Sequence, residues 1–134
     1  MRYLPLLFLV GLLSCSHATP GSFWENYKKD ILKESESDQG PYGGHRMIYW
    51  KSNERSFDPD EVVDFAKENG WELVDTVSLA AYPPRWIKGD VTVYAFKTGW
   101  LLINPGDGET NEINGFVVLK DDRTEMEVYH IWGE

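Results

Sequence analysis

One cysteine, Cys15, stands in 134 residues. No disulfide can therefore form within the chain, and apolar burial must supply the stability that such staples often give small exported domains. Basic residues are also few: 13 Lys and Arg against 22 Asp and Glu leave a net charge of −9. A surface of that sign repels phosphate backbones, which argues against nucleic acid as a partner. It equally disfavours docking of the domain on anionic lipid, while a basic protein partner is allowed without being implied. The longest mostly apolar run, Leu4 to Leu13, is half of the about 20 residues that a membrane-crossing helix needs. GxSxG, SxxK, HExxH, a phosphate-binding glycine loop and CxxC are all missing, so no catalytic residue or cofactor is announced by motif. No internal repeat is found.

What is present begins at the N-terminus. Arg2, the apolar run and the small residues after it have the layout of a secretory signal peptide. Leu12-Leu13-Ser14-Cys15 resembles the bacterial lipobox, although Leu13 departs from the small or β-branched residue usual there. The resemblance implies that residues 1–14 are removed, that Cys15 is acylated, and that residues 15–21 form the lipidated N-terminus and tether. A buried methylene contributes about 0.8 kcal/mol, and stable anchoring takes more than one acyl chain, as lipoproteins of this kind carry. Ser16 lacks the aspartate that retains some lipoproteins at the inner membrane, so the resemblance favours an outer-membrane address in the cell envelope. Ser16-His17-Ala18 offers a rival site for ordinary signal peptidase, which would release a secreted or periplasmic protein from Thr19.

Residues 22–134 read as one domain, and 42 % hydrophobic and 14 % aromatic composition over the chain suits a core without disulfides. Ser22-Phe23-Trp24-Glu25 has the form of a capping box, with Phe23, Trp24, Tyr27 and Ile31 at helical spacing, which predicts a helix to about Lys33. Lys33 to Gly44 reads as a polar, then glycine-rich loop, and His45 to Lys51 as a strand. Asp58, Pro59 and Glu61 satisfy the helix-start rules, Phe57 and Val62 form a staple, and Asn69-Gly70 ends the helix. Trp71 to Leu79 alternates as a half-buried strand. Val91–Lys97, Trp100–Asn104, Gly115–Lys120 and Glu125–Trp132 follow as further strands, separated by Gly99, the PGDGETN loop and the DDRT turn. The expected fold class is α+β: two short helices on a mostly antiparallel sheet of about five to six strands.

Few side chains point to chemistry. His45 and His130 would need to converge with a carboxylate to hold a metal, and neither has a partner at ligand spacing. Asp107 and Glu109, with Asn111 and Glu112, give an oxygen-rich loop without the register of the twelve-residue calcium loop. Both groups are weak metal candidates, and no cofactor is implied. The Asp58, Asp60 and Glu61 carboxylates stand where capping demands them. AYPPRW, Ala81 to Trp86, differs in kind: its prolines deny it ladder hydrogen bonds, yet Tyr82, Arg85 and Trp86 are residue types enriched at binding hot spots. With Tyr42 from the glycine loop they make the candidate binding surface. A non-catalytic protein-binding role is the expectation, as adaptor, inhibitor or assembly factor. A ligand-binding module using aromatics on glycans, and an enzyme, are the alternatives.

Overall fold

The computed structural model describes residues 20–40, 43–77, 84–103 and 110–133. Six strands form one sheet: β1 (Leu32–Gln39), β2 (Gly43–Lys51), β3 (Glu72–Val77), β4 (Val91–Ile103), β5 (Thr110–Lys120) and β6 (Glu125–Gly133). Their spatial order is β1-β2-β6-β5-β4-β3. Strands β3 to β6 make an antiparallel meander, and β2 of the N-terminal hairpin pairs antiparallel with β6. One α-helix, α1 (Pro59–Glu68), lies between β2 and β3.

The helix obeys its sequence. The Asp58 carboxylate accepts the Glu61 N–H at 3.1 Å, Pro59 opens the first turn, and Asn69 caps the other end ahead of Gly70. Val62 and Ala66 are buried with Phe57, Trp24, Trp50 and Trp71 in the main core, on the sheet face that carries Ile48, Val117, Leu119, Met126 and Val128.

The first expected helix is not formed. Ser22–Asn26 and Lys29–Ile31 are short 3-10 turns, Gly21 is left-handed, and no side chain caps the first turn. The cause is tertiary. Glu25, the reach-back residue of the box, accepts from Arg46 at 2.7 Å and from Ser35 at 2.6 Å. Trp50 donates its indole N–H to the Tyr27 carbonyl at 2.7 Å, which takes an acceptor that a continuing helix would use.

Lys33 to Gln39 is likewise a strand and not a loop. As an edge strand it pairs its backbone with β2 while its side chains stay exposed, so no apolar pattern is required of it. Glu34, Glu36 and Asp38 guard the open edge with charge. Gly99 does not separate two strands either. It bends one 13-residue strand, β4, with φ of +84°. The alternation of β3 is broken by a register shift between Leu73 and Asp75.

Candidate functional site

The second sheet face is covered differently. Tyr49, Val93 and Val118 pack there with Ile87, and Trp86 lies against them. A strap of chain, residues 84–88, is held on this face by one carboxylate. Glu127, almost wholly buried, accepts the backbone N–H groups of Arg85 and Trp86 on Oε1 at 2.9 and 3.0 Å, and that of Ile87 on Oε2 at 3.0 Å. Three successive amides on one anion satisfy its charge without a cation. Trp86 stacks on Tyr49 with ring centroids 5.5 Å apart. Arg85 lies over the Trp86 ring at 4.9 Å and pairs with Glu36 of β1 at 2.6 Å. Beside the strap, Tyr49 donates to Glu125, which also accepts from Lys120 at 3.0 Å. Burial and then that hydrogen bond push the Tyr49 phenol well above its ordinary value. Burial alone would raise the Glu125 carboxyl, but the Tyr49 and Lys120 hydrogen bonds outweigh it and hold it low.

The opposite face buries a polar chain. Asn114 donates to the carbonyls of Trp100 at 2.9 Å and Ile131 at 2.7 Å, which orients its amide so that Oδ1 accepts from Thr98 at 2.9 Å. The Thr98 hydroxyl has one proton and spends it there, so His130 donates Nε2–H to Thr98 Oγ1 at 3.0 Å. Nδ1 is then an unprotonated acceptor; it sits against Gly21 and has no hydrogen-bond partner among the described residues. The neighbouring Pro20 carbonyl accepts from Arg46 Nε at 3.1 Å. Burial pushes His130 down to about 4; the Pro20 carbonyl opposes this in part, and the Arg46 charge adds to it.

His45 and His130 therefore do not converge. Arg46 pairs with His130 across β2 and β6, so His45, the next residue along, points to the other face. His45 instead lines an open groove of about 420 Å³ with Asp38, Tyr129, Ile131 and Trp132. Among the described residues no three His, Cys, Asp or Glu side chains are placed to hold a metal. No helix among them is long and apolar enough to cross a membrane.

Of the sequence-derived surface, Arg85 and Trp86 are brought together, with Arg85 exposed and Trp86 half-buried. Tyr42, Tyr82, Asp107, Glu109 and Cys15 lie outside the described residues. Sequence reasoning missed Glu127 and Asn114, whose burial no local pattern announces. It also missed Trp100 and Leu101, exposed at 50 and 46 %, although a glycine inside a strand pattern is a signal for a bulge. The chain matches no protein-family model, no curated protein and no solved structure.

Proposed function

We propose that the chain is a small cell-envelope lipoprotein, anchored through acyl groups on Cys15, with a non-catalytic protein-binding role as an adaptor, inhibitor or assembly factor. The observation that carries the binding role is the strap. Glu127 fixes three consecutive amides of a loop that presents Arg85 over an aromatic ring and half open to solvent. A loop already ordered before contact loses little conformational entropy on binding, and Arg with Trp is a favoured hot-spot pair. A histidine pair split across two faces and open, shallow grooves supply no comparable support for catalysis.

Two measurements test the two halves. Intact mass and membrane fractionation read the anchor: an acylated N-terminus at Cys15 is expected, and a soluble, lipid-free species beginning at Thr19 overturns it. Capture from solubilised envelope, followed by titration of the captured protein, reads the binding role. Arg85→Ala should shift stability by about 0.5 kcal/mol or less and weaken binding about thirtyfold, or 2 kcal/mol. Undiminished binding would remove the strap from the interface.

A glycan-binding reading has one observation in its favour, the groove in which Asp38 and His45 flank Tyr129 and Trp132, an aromatic wall beside polar groups. Saccharide titration followed by tryptophan emission tests it, and no change in emission or heat on titration would discard it.

A further inference from the structure

Large apolar side chains of a small domain are mostly buried, and here β4 is built to push two of them out. Between the pairs Lys97↔Ile113 and Leu102↔Asn111, β4 carries four residues where β5 carries one. The extra length, Thr98 to Leu101, leaves the ladder, and Gly99 makes the bend at φ of +84°. The bulge is pinned from beneath. Asn114 holds the Trp100 carbonyl, and Thr98 accepts the Trp100 N–H at 3.2 Å while donating to Asn114. A buried polar network thus fixes a protrusion whose tip is Trp100 and Leu101, two of three large apolar residues most exposed among those described. Bulges of this kind re-aim side chains.

The position of the tip relative to the N-terminus is equally specific. Trp24 packs on Trp50, in the row where β2 pairs with Met126 of β6. Gly21 lies on His130, in the Arg46 row, four pairs further along the sheet. Followed backwards from Trp24, the chain therefore runs toward the end of the sheet formed by Gly43, Gly44, Trp132 and Gly133. Trp100 and Leu101 line a groove with Gly43, Trp132 and Gly133 at that same end, and Leu102 pairs with Gly133. Pro20 is buried, so only the residues before it separate the domain from Cys15. Five residues at full extension reach at most about 18 Å.

We propose that Trp100 and Leu101 enter the membrane interface beside the lipid anchor, so that the domain stands on the bilayer by this end. The proposal rests on the anchoring reading above. A tether of this length keeps Pro20, which leads toward the same end of the sheet as the tip, within about 18 Å of the anchored cysteine, and tryptophan is a side chain enriched at the membrane interface. The contact is apolar. The acidic balance of the chain, 22 Asp and Glu against 13 Lys and Arg, disfavours attraction to anionic headgroups, and Lys97, which shares a groove with Trp100 and Leu101, is paired with Glu112 at 3.4 Å. The opposite end of the sheet, with Lys51, Asn53 and the β5–β6 turn, faces away from the bilayer, and the strap on the second sheet face stays open to a partner.

The test uses the full chain, processed by a lipoprotein-exporting host and reconstituted in phosphatidylcholine vesicles containing a shallow nitroxide-labelled lipid. Leu101→Cys and Asn53→Cys are each labelled with an environment-sensitive maleimide; an acylated Cys15 does not react. Intact mass reports the anchor independently of the label. Emission at 101 should be blue-shifted and lost to the nitroxide, emission at 53 should be unaffected, and Trp100→Ser should diminish the quenching at 101. An acylated chain quenched at both positions or at neither overturns the proposal and leaves the anchor standing. A chain without acyl mass overturns the anchoring reading and the proposal with it.

Discussion

Arg46 and His130 face each other across β2 and β6, both buried, and only one of them is charged. The Arg46 charge is answered by the Glu25 carboxylate and the Pro20 carbonyl. His130 has Trp71 and Trp132 at 5.1 and 5.0 Å and a hydroxyl on Nε2, and the Pro20 carbonyl that favours a second proton is outweighed by burial, with the Arg46 charge adding to it. The sign of its pH effect follows. In the fold the imidazole stays neutral down to about 4, whereas the unfolded chain takes up a proton near the ordinary value of about 6.5. Its contribution is therefore complete above pH 6.5 and lost progressively as the pH falls from there toward 4, by up to about 3 kcal/mol. Urea midpoints of the wild type and His130→Gln across that interval should converge as the pH falls. Parallel curves, or a ring-proton titration near 6.5 in the folded protein, would contradict the assignment. Asp122 and Glu125, both held below their ordinary values, lose their contributions at still lower pH and do so equally in the two proteins. The sequence reading placed His130 on a sheet face, but a side chain 130 residues along gives no local hint that Gly21 will close over it.

Element boundaries were legible where the signals were local. Asp58, Pro59 and Glu61 cap α1 within four residues, and every one of those contacts is short in sequence. Asp58→Ala should therefore cost about 1 kcal/mol and leave partner binding unchanged; an unaltered denaturation midpoint would show the cap to be idle. Ser22 carries the same local signal and fails, because Arg46, 21 residues on from Glu25, takes Glu25 out of the box. A strand such as β1 is equally invisible: its contribution to the fold is backbone pairing, and its side chains are free to be polar. The strap is the clearest case of an element made by one distant side chain. Glu127 alternates with Met126 and Val128 along β6 and so reads as a solvent-facing acid, until residues 85–87 fold over it. In Glu127→Gln one carboxylate oxygen becomes an NH₂ that cannot accept an amide N–H. A loss of about 2 kcal/mol is expected, the scale of a hydrogen bond to a charged group. Trypsin should then cut faster after Arg85 and Lys88. Unchanged cleavage would mean that Trp86 and Ile87 hold the strap without the carboxylate.

At the scale of the whole molecule, the strand order binds the two ends of the chain together, since β2 is seated on β6. Local periodicity distinguishes strands from helices, but it contains no term for which strands become neighbours across some 80 residues, so this pairing was beyond sequence reading. The N-terminal segment completes the assembly. Trp24, fully buried, has Phe23, Tyr27, Trp50, Phe65 and Trp71 around it with centroids 5.2 to 6.2 Å away, and these come from the first turn and its C-cap, β2, α1 and the residue that leads into β3. One ring therefore joins every layer on that face, and there is no way to release the N-terminal turns without exposing Trp50 and Trp71. Domain and N-terminal turns are consequently one cooperative unit, which, on the anchoring proposed above, keeps the reach to Cys15 short. Trp24→Ala removes the hub and should cost about 3–5 kcal/mol, a large share of the 5–15 kcal/mol that holds a typical domain. The loss should fall on the whole fold. Near-ultraviolet and far-ultraviolet signals should move together to a lower denaturant midpoint with an unchanged slope. Two separated transitions, the first confined to the aromatic signal, would show that the N-terminal turns detach alone. On the anchoring proposed above, the tether would then be longer than the buried Pro20 implies, and the domain would stand correspondingly further from the bilayer.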